Sequence, residues 1–104
     1  MWAQLIRMRL KPDKDMAEAA RLIRAAEQPG SGLVRTLTMR DQTDPNQVYT
    51  LVVFESEEKA RAREQDPRRS EQLDAARSIM ADIFDGPPDF TDLEVLDEWT
   101  GATA

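Results

Sequence analysis

Few side chains in this 104-residue chain could take part in chemistry, because it contains neither cysteine nor histidine. A thiolate nucleophile, a cysteine or histidine metal site and the commonest general base are therefore excluded. Arginines remain as groups that could hold an anionic oxygen, and the single tyrosine could transfer a proton. Aromatic rings could stack on a flat ligand. The candidates are Arg7, Arg9, Arg35 and Tyr49, together with the aromatic residues Trp2, Phe54 and Trp99.

The charge distribution argues against a nucleic-acid or membrane partner. The formal net charge is −6, and residues 78–104 contain seven acidic and no basic residues. A basic cluster interleaved with acidic residues consists of Arg61, Arg63, Arg68 and Arg69. We interpret it as the solvated, mixed-charge surface of a helix. No apolar run approaches the ~20 residues of a membrane span, and Arg7 interrupts the apolar start, so we expect no signal peptide and a cytoplasmic protein.

Hydrophobic periodicity predicts elements in the order βαββαβ. Alternation predicts strands, and apolar residues three and four apart predict helices. The predicted strands are Trp2–Leu10, Leu33–Arg40, Val48–Phe54 and Phe90–Trp99; the predicted helices are Asp15–Ala26, a short Glu57–Glu64 and Leu73–Phe84. These elements use nearly every residue, so we expect 1–104 to form one domain with a frayed tail at 100–104.

Short polar motifs predict where these elements begin and turn. Asp13, Ser56 and Asp66 are predicted helix N-caps, the last with Pro67 at the first helical position. Asp44-Pro45-Asn46 is typical of a type I turn and predicts antiparallel pairing of the second and third strands.

The third predicted strand is apolar on both faces, since Val48 and Val52 alternate with Leu51 and Val53. A strand of this kind is expected to be central and covered on both sides. Helices can cover one face only. We therefore expect a second copy of the same sheet to cover the other face, which predicts a homodimer.

Several motifs occur in a fixed order along the chain. A hydrophobic strand ends in Phe54-Glu55-Ser56-Glu57-Glu58, and Asp66-Pro67-Arg68, Gly86-Pro87-Pro88 and a final strand follow. Turns at Pro29-Gly30 and Asp44-Pro45-Asn46 precede them. Over residues 2–99 this order resembles the antibiotic biosynthesis monooxygenase family. The resemblance implies an α+β, ferredoxin-like monomer with an antiparallel sheet. Two such monomers would pair through their sheets as a dimeric α/β barrel, with a pocket in each subunit between sheet and helices.

Most functional positions of that family carry other residue types here. Thr50 falls at the place of an asparagine on the third strand, and Phe54 at the place of a tryptophan. The family's helical tyrosine and arginine fall near Ala60 and Asp74. Haem-degrading members have a first-strand asparagine, where this chain has Arg7, and a histidine ligand that it lacks. The resemblance therefore implies chemistry without haem, metal or flavin.

Two functions are consistent with these residues. The first is a cofactor-independent monooxygenase acting on a small hydrophobic, aromatic or quinone-like molecule. Tyr49 and Arg7 are then the candidate catalytic residues, and the candidate substrate-binding residues are Arg7, Arg9, Arg35, Thr50, Phe54, Trp2 and Trp99. The alternative is a non-catalytic dimeric ligand-binding or scaffold protein on the same fold. A closed cavity with a few convergent polar groups would favour the enzyme.

Overall fold

Four strands form one antiparallel sheet in the order β2-β3-β1-β4 in a computed structural model that describes residues 1–102. The elements are β1 (Trp2–Arg9), α1 (Ala17–Ala25), β2 (Leu33–Arg40), β3 (Gln47–Phe54), α2 (Glu57–Glu64), α3 (Ser70–Ile83) and β4 (Asp89–Glu94). A single 3-10 turn, Pro67–Arg69, precedes α3. This confirms the predicted α+β, ferredoxin-like fold and the central position of β3.

Two of the predicted caps and the predicted turn are present. The Ser56 hydroxyl accepts a hydrogen bond from the Lys59 N–H, which fixes the start of α2. The Asp66 carboxylate accepts one from the Arg68 N–H at the start of the 3-10 turn. Between β2 and β3, the Gln47 N–H donates to the Asp44 carbonyl at 3.0 Å, as a four-residue turn requires.

The last strand and the first helix differ from the prediction. β4 ends at Glu94 instead of Trp99, because Glu94 lies opposite Trp2, the first residue of its partner β1. α1 begins at Ala17, and the predicted cap Asp13 lies outside it with a left-handed φ of +64°. Residues 100–102 have no regular structure, and the rest of the predicted frayed tail, 103 and 104, lies outside the described residues.

The two faces of the sheet have different surroundings. On one face, Met8 and Val48 pack with Ala19 of α1 and Ile83 of α3, so this face lies under the helices. Because side chains alternate along a strand, the neighbouring odd-numbered positions of β1 and β3 lie on the opposite, open face. There Leu5 pairs with Leu51, which pairs with Leu37 of β2.

The core under the helices consists of two separate clusters at opposite ends of β1 and β3. One joins Met8, Leu10, Ala19, Val48, Ile83 and Phe84 beneath α1 and α3. The other joins Trp2, Phe54 and Ala60 beneath α2. The middle of both strands, around Ile6 and Thr50, lies between the clusters. The fold therefore leaves space above the centre of the sheet.

A pair of glycine substitutions tests how closely α2 packs against the start of β2. Gly30 and Gly32 both have left-handed φ angles, +78° and +81°, where an alanine costs about 1–2 kcal/mol. A Cβ at Gly32 would also lie 2.6 Å from Cδ of Lys59 in α2, whereas one at Gly30 meets nothing within 4 Å. Urea denaturation should therefore show a larger loss of unfolding free energy for Gly32→Ala than for Gly30→Ala. Equal losses would mean that α2 shifts freely.

Candidate functional site

A cavity of about 630 Å³ lies between the sheet and the helices, in the space that separates the two core clusters. Ligand sites in proteins typically have volumes in this range. Its floor consists of Gln4, Ile6, Thr36, Thr50 and Val52, and its helical walls include Ile23, Leu73 and Met80. Phe90 of β4 also lines it and is 58% exposed, so this ring lies at the rim.

One end of the cavity is aromatic. The rings of Trp2 and Phe54 lie 6.0 Å apart at 44°, and both line the cavity. Two arginines of α2 cover them: the Arg61 guanidinium lies 5.0 Å from the Trp2 ring centroid, and that of Arg63 lies 5.3 Å from Phe54. These distances are within the range of cation–π attraction. A helix made mostly of charged residues is thereby held on the sheet by its arginines and by buried Ala60.

Arg69 places a buried positive charge in the cavity wall. Arg69 ends the 3-10 turn between α2 and α3 and is only 4% exposed. One terminal nitrogen donates to the Arg63 carbonyl oxygen at 3.1 Å. Nε is buried and has no partner within residues 1–102. Burial, and then the charge of Arg63, lower the pKa of Arg69 below its usual 12.5. A buried donor without an acceptor is costly, so this group favours an anionic oxygen beside it.

Glu27, just after α1, holds the neighbouring arginine in place. The Arg63 Nε donates to one Glu27 oxygen at 3.2 Å, and both side chains are largely buried. Burial alone would raise the pKa of Glu27, but the Gln28 N–H bond and the charge of Arg63 outweigh it, so the pKa lies below 4.5. Arg63 is thus paired with a carboxylate. Arg69 has no such pair within 4.0 Å among the described residues, but the charges of Glu27 and Asp66 act on it and raise its pKa against burial and the charge of Arg63. The second oxygen of Glu27 is, like the Arg69 Nε, buried without a hydrogen-bond partner in the described range.

The cavity floor carries hydroxyl groups near its centre. Thr50 is 7% exposed, and its Oγ1 lies 3.3 Å from that of Thr38 on β2. Thr36 of β2 also lines the cavity. A hydroxyl can donate or accept, so this floor can bind a carbonyl oxygen or a hydroxyl of a ligand.

The structure separates the predicted site residues into two groups. Thr50, Phe54 and Trp2 line the cavity. Four others, Arg7, Arg9, Arg35 and Tyr49, belong to the positions of the open face, on the other side of the sheet from this cavity. The reason is the register: Arg7 pairs with Tyr49, one position away from Ile6 and Thr50 on the floor.

Two of the arginines on the open face form ion pairs with acidic residues of this chain. Arg7 donates to Asp89 of β4 at 3.1 Å, and Arg9 donates to Asp44 at 2.8 Å. Both pairs are well exposed, which makes them weak contributors to stability. Trp99 also lies away from the cavity, because it follows the end of β4 and is 83% exposed.

Arg69 is the residue that the sequence analysis missed, since it was interpreted as part of a solvated surface. Two members of that cluster do lie in exposed or partly exposed ion pairs: Arg61 bonds Asp92 and Glu57, and Arg68 bonds Asp66. Arg63 bonds Glu27 in a largely buried pair. A signal was nevertheless present. Position 69 precedes Leu73, Ala76 and Met80 by steps of four, three and four, so Arg69 extends the buried stripe of α3.

Other regions of the structure give less evidence of a functional site. A depression of about 460 Å³ near Met1 is lined largely by carboxylates, those of Glu55, Glu57, Asp92 and Glu94. Within residues 1–102, no three acidic side chains are arranged to hold a metal ion. No helix in the same range is both long and apolar enough to cross a bilayer.

The fold is that of solved antibiotic biosynthesis monooxygenases. A Nitrosomonas europaea protein provisionally assigned to them superposes with a TM-score of 0.74 at 18% identity, over 93% of this chain and all of its own. Rv0793 of Mycobacterium tuberculosis superposes with a TM-score of 0.70 at 18% identity, over 95% of this chain and 98% of its own. SnoaB, a cofactor-independent oxygenase from Streptomyces nogalater, superposes with a TM-score of 0.67 at 15% identity, over 93% of this chain and 94% of its own. No family model and no curated protein matches the sequence.

The Glu27–Arg63 pair predicts a specific acid sensitivity. Folding lowers the pKa of Glu27, so its ionised carboxylate contributes to the free energy of unfolding. This contribution is fully present above pH 4.5 and is lost as the pH falls through the lower pKa of the folded state. Glu27→Gln should reduce the unfolding free energy at pH 7 by about 1 kcal/mol, and the difference from wild type should shrink below pH 4. Denaturant titrations across pH measure this. The exposed Glu58→Gln is the control, and a gap that widens in acid would contradict the assignment.

Proposed function

We propose that the cavity binds a flat aromatic or quinone-like molecule with an ionisable oxygen, and that the protein oxygenates this molecule with dioxygen without a cofactor. The observation that carries the proposal is Arg69, a buried cation in the wall of a cavity with an aromatic end. The shared fold with a cofactor-independent oxygenase supports the same conclusion.

The cavity supplies what binding such a ligand requires. Trp2 and Phe54 line one end of the cavity, and its apolar walls remove the ligand from water. Arg69 can donate to a phenolate or enolate oxygen, and its charge in a poorly solvated wall favours the ionised form of the ligand. Thr50 can bind a second oxygen from the sheet side.

Oxygenation then uses electrons from the ligand itself. The anion of a substrate with a reactive CH₂ group reduces dioxygen, and a carbon–oxygen bond forms at that carbon. The second oxygen atom leaves as water with the two hydrogens that the CH₂ group loses, so R₂CH₂ + O₂ gives R₂C=O + H₂O. Arg69 holds the anion during this reaction, and the surrounding apolar side chains exclude bulk water.

A second candidate function is ligand binding without catalysis. The observation that favours it is the position of Tyr49 and Arg7, the two predicted catalytic residues, which lie at open-face positions. The carboxylate that lines the cavity and could act as a base is that of Glu64, and this residue of α2 is exposed to solvent. Under this alternative the cavity stores or transports its ligand, and the buried arginine serves affinity alone.

One experiment separates these functions. Anthrone, a flat tricyclic ketone with a reactive CH₂ group, is offered to the protein in air-saturated buffer. Calorimetry measures binding, an oxygen electrode measures uptake, and absorbance measures anthraquinone. Arg69→Gln should weaken binding by about tenfold or more, the value of a charge-assisted hydrogen bond. The matched control is Arg68→Gln, since Arg68 is exposed and paired with Asp66.

Each outcome has a defined meaning. Binding with stoichiometric oxygen uptake supports the oxygenase, and binding without uptake supports the storage function. No binding of anthrone or of a naphthol panel would overturn the proposal. Since loss of a buried arginine could unfold the chain, Arg69→Lys keeps the charge but removes Nε, and its melting temperature and affinity are measured together. Arg7→Ala should leave affinity unchanged, because Arg7 lies at an open-face position.

We further propose a homodimer through the open face of the sheet. This face carries a row of apolar side chains, Leu5, Leu51 and Leu37, and Leu37, Met39 and Leu93 are 44%, 43% and 38% exposed. A soluble monomer rarely exposes a contiguous apolar surface of this kind. A second copy would cover it by symmetry and leave the cavity free on the helix side.

Light scattering tests the dimer directly. At micromolar concentration the mass should be twice the 11.8 kDa of one chain. Leu51→Glu, which places a charge in the middle of the open face, should shift the protein to monomers, whereas Ala62→Glu on the exposed side of α2 should not. A single-chain mass for the wild type would rule out this interface.

A further inference from the structure

Asp92 fixes the orientation of an amide on the floor of the cavity. Gln4 of β1 lies opposite Asp92 of β4, and its Nε2 donates to the Asp92 carboxylate at 3.0 Å. The second oxygen of Asp92 accepts a hydrogen bond from Arg61 of α2 at 2.9 Å, and the same arginine covers the Trp2 ring. Gln4 is thus held by a series of contacts that joins the floor, the last strand and α2.

The charge of Asp92 leaves one orientation for the Gln4 amide. The hydrogen bond from Gln4 is the main reason why the pKa of Asp92 lies below its usual 3.8, and Arg61 lowers it further. The carboxylate is therefore ionised at neutral pH, and an ionised carboxylate can only accept hydrogen bonds. It faces the amide nitrogen, so the planar amide turns its oxygen away from Asp92. Because Gln4 lines the cavity, a ligand can reach this oxygen.

The oriented amide oxygen adds an acceptor to a cavity whose cationic groups only donate. Arg63, Arg69 and Arg77 line the walls, and a guanidinium has no acceptor atom. A ligand that presented an oxygen without a hydrogen to Gln4 would place two acceptors against each other and lose affinity. A ligand with a hydroxyl at this place would donate to the amide oxygen.

Gln4 lies near enough to the central hydroxyl of the floor to bind the same ligand. The register of β1 and β3 pairs Gln4 with Val52 and Ile6 with Thr50, so Gln4 and Thr50 are diagonal neighbours. Positions related in this way are about 7–8 Å apart. One fused-ring ligand can therefore contact the Thr50 hydroxyl with one oxygen substituent and the Gln4 amide with another.

We propose that Gln4 is a specificity-determining residue whose amide oxygen accepts a hydrogen bond from a neutral hydroxyl of the ligand. The ligand class is then a fused-ring aromatic molecule with two oxygen substituents: an ionisable oxygen held by Arg69 and a second, un-ionised phenolic hydroxyl at Gln4. Asp92 acts through Gln4 and is a positioning residue. This inference rests on the proposed function and narrows the ligand of the same cavity.

Three ligands that differ at a single substituent test the role of Gln4. 2-Naphthol has one hydroxyl, 2,7-dihydroxynaphthalene adds a second, and 7-methoxy-2-naphthol has an added oxygen that cannot donate. Calorimetry measures the dissociation constant of each. The wild-type protein should bind the dihydroxy compound about threefold to tenfold more tightly than the other two, the value of one net hydrogen bond. Gln4→Met, which keeps the length of the side chain, should bring this ratio to one.

Two substitutions in β4 test the positioning role of Asp92. In Asp92→Asn the new amide can donate or accept, so it no longer fixes the Gln4 amide, and the ratio should fall. Adding Asp92→Asn to Gln4→Met should change the ratio no further. Asp89→Asn is the matched control and should keep the wild-type ratio, because Asp89 lies on the same strand and pairs with Arg7 on the open face. Ratios are compared within each variant, so a general loss of stability cancels.

The outcomes separate this inference from the proposed function. Equal dissociation constants for the three ligands, or a preference that survives Gln4→Met, would overturn the role of Gln4 and leave the proposed function standing. Tighter binding of the methoxy compound than of the dihydroxy compound would mean that Gln4 donates to the ligand, which overturns the orientation. An equal fall of the ratio in Asp89→Asn and Asp92→Asn would overturn the positioning role. Failure of all three ligands to bind would overturn both the inference and the proposed function.

Discussion

The alternation of side chains along β1 and β3 is the constraint on which this structure depends. These two strands form the centre of the sheet, and their register pairs Ile6 with Thr50 and Arg7 with Tyr49. One step along either strand moves a side chain from the cavity floor to the open face. The same apolar strands therefore pack against the helices on one face and leave an apolar surface on the other. Both the candidate site and the proposed interface follow from this division.

Much of the fold could be predicted because its signals are local. The bounds of β2 agree with the sequence prediction residue for residue. Ser56 caps α2 and Asp66 caps the 3-10 turn, as expected. The end of β4 could not be predicted in this way. It depends on where β1 begins, so the alternation that continues to Trp99 has no partner strand to support it.

The site was harder to predict than the fold, and the reason is physical. The sequence identifies Arg7 and Arg9 as strand cations, but it does not say which face of a strand looks at the helices when both faces contain apolar residues. Their ion-pair partners are Asp89 of β4 and Asp44 of the turn between β2 and β3. Arg69, by contrast, lies in a charge-rich segment, and its composition hides the helical spacing that buries it with Leu73 and Ala76. For predicting the burial of Arg69, its position in the apolar stripe of α3 was more informative than its residue type.

The two core clusters lie at opposite ends of the central strands, with the cavity between them. The helix layer is therefore anchored at both ends of these strands and spans the cavity at their middle. Residues inside the clusters cannot change volume without a loss of packing. Ile6, Val52 and Met80 line the cavity and also pack against the clusters. The shape of the cavity and the stability of the fold are thus coupled, because the same side chains serve both.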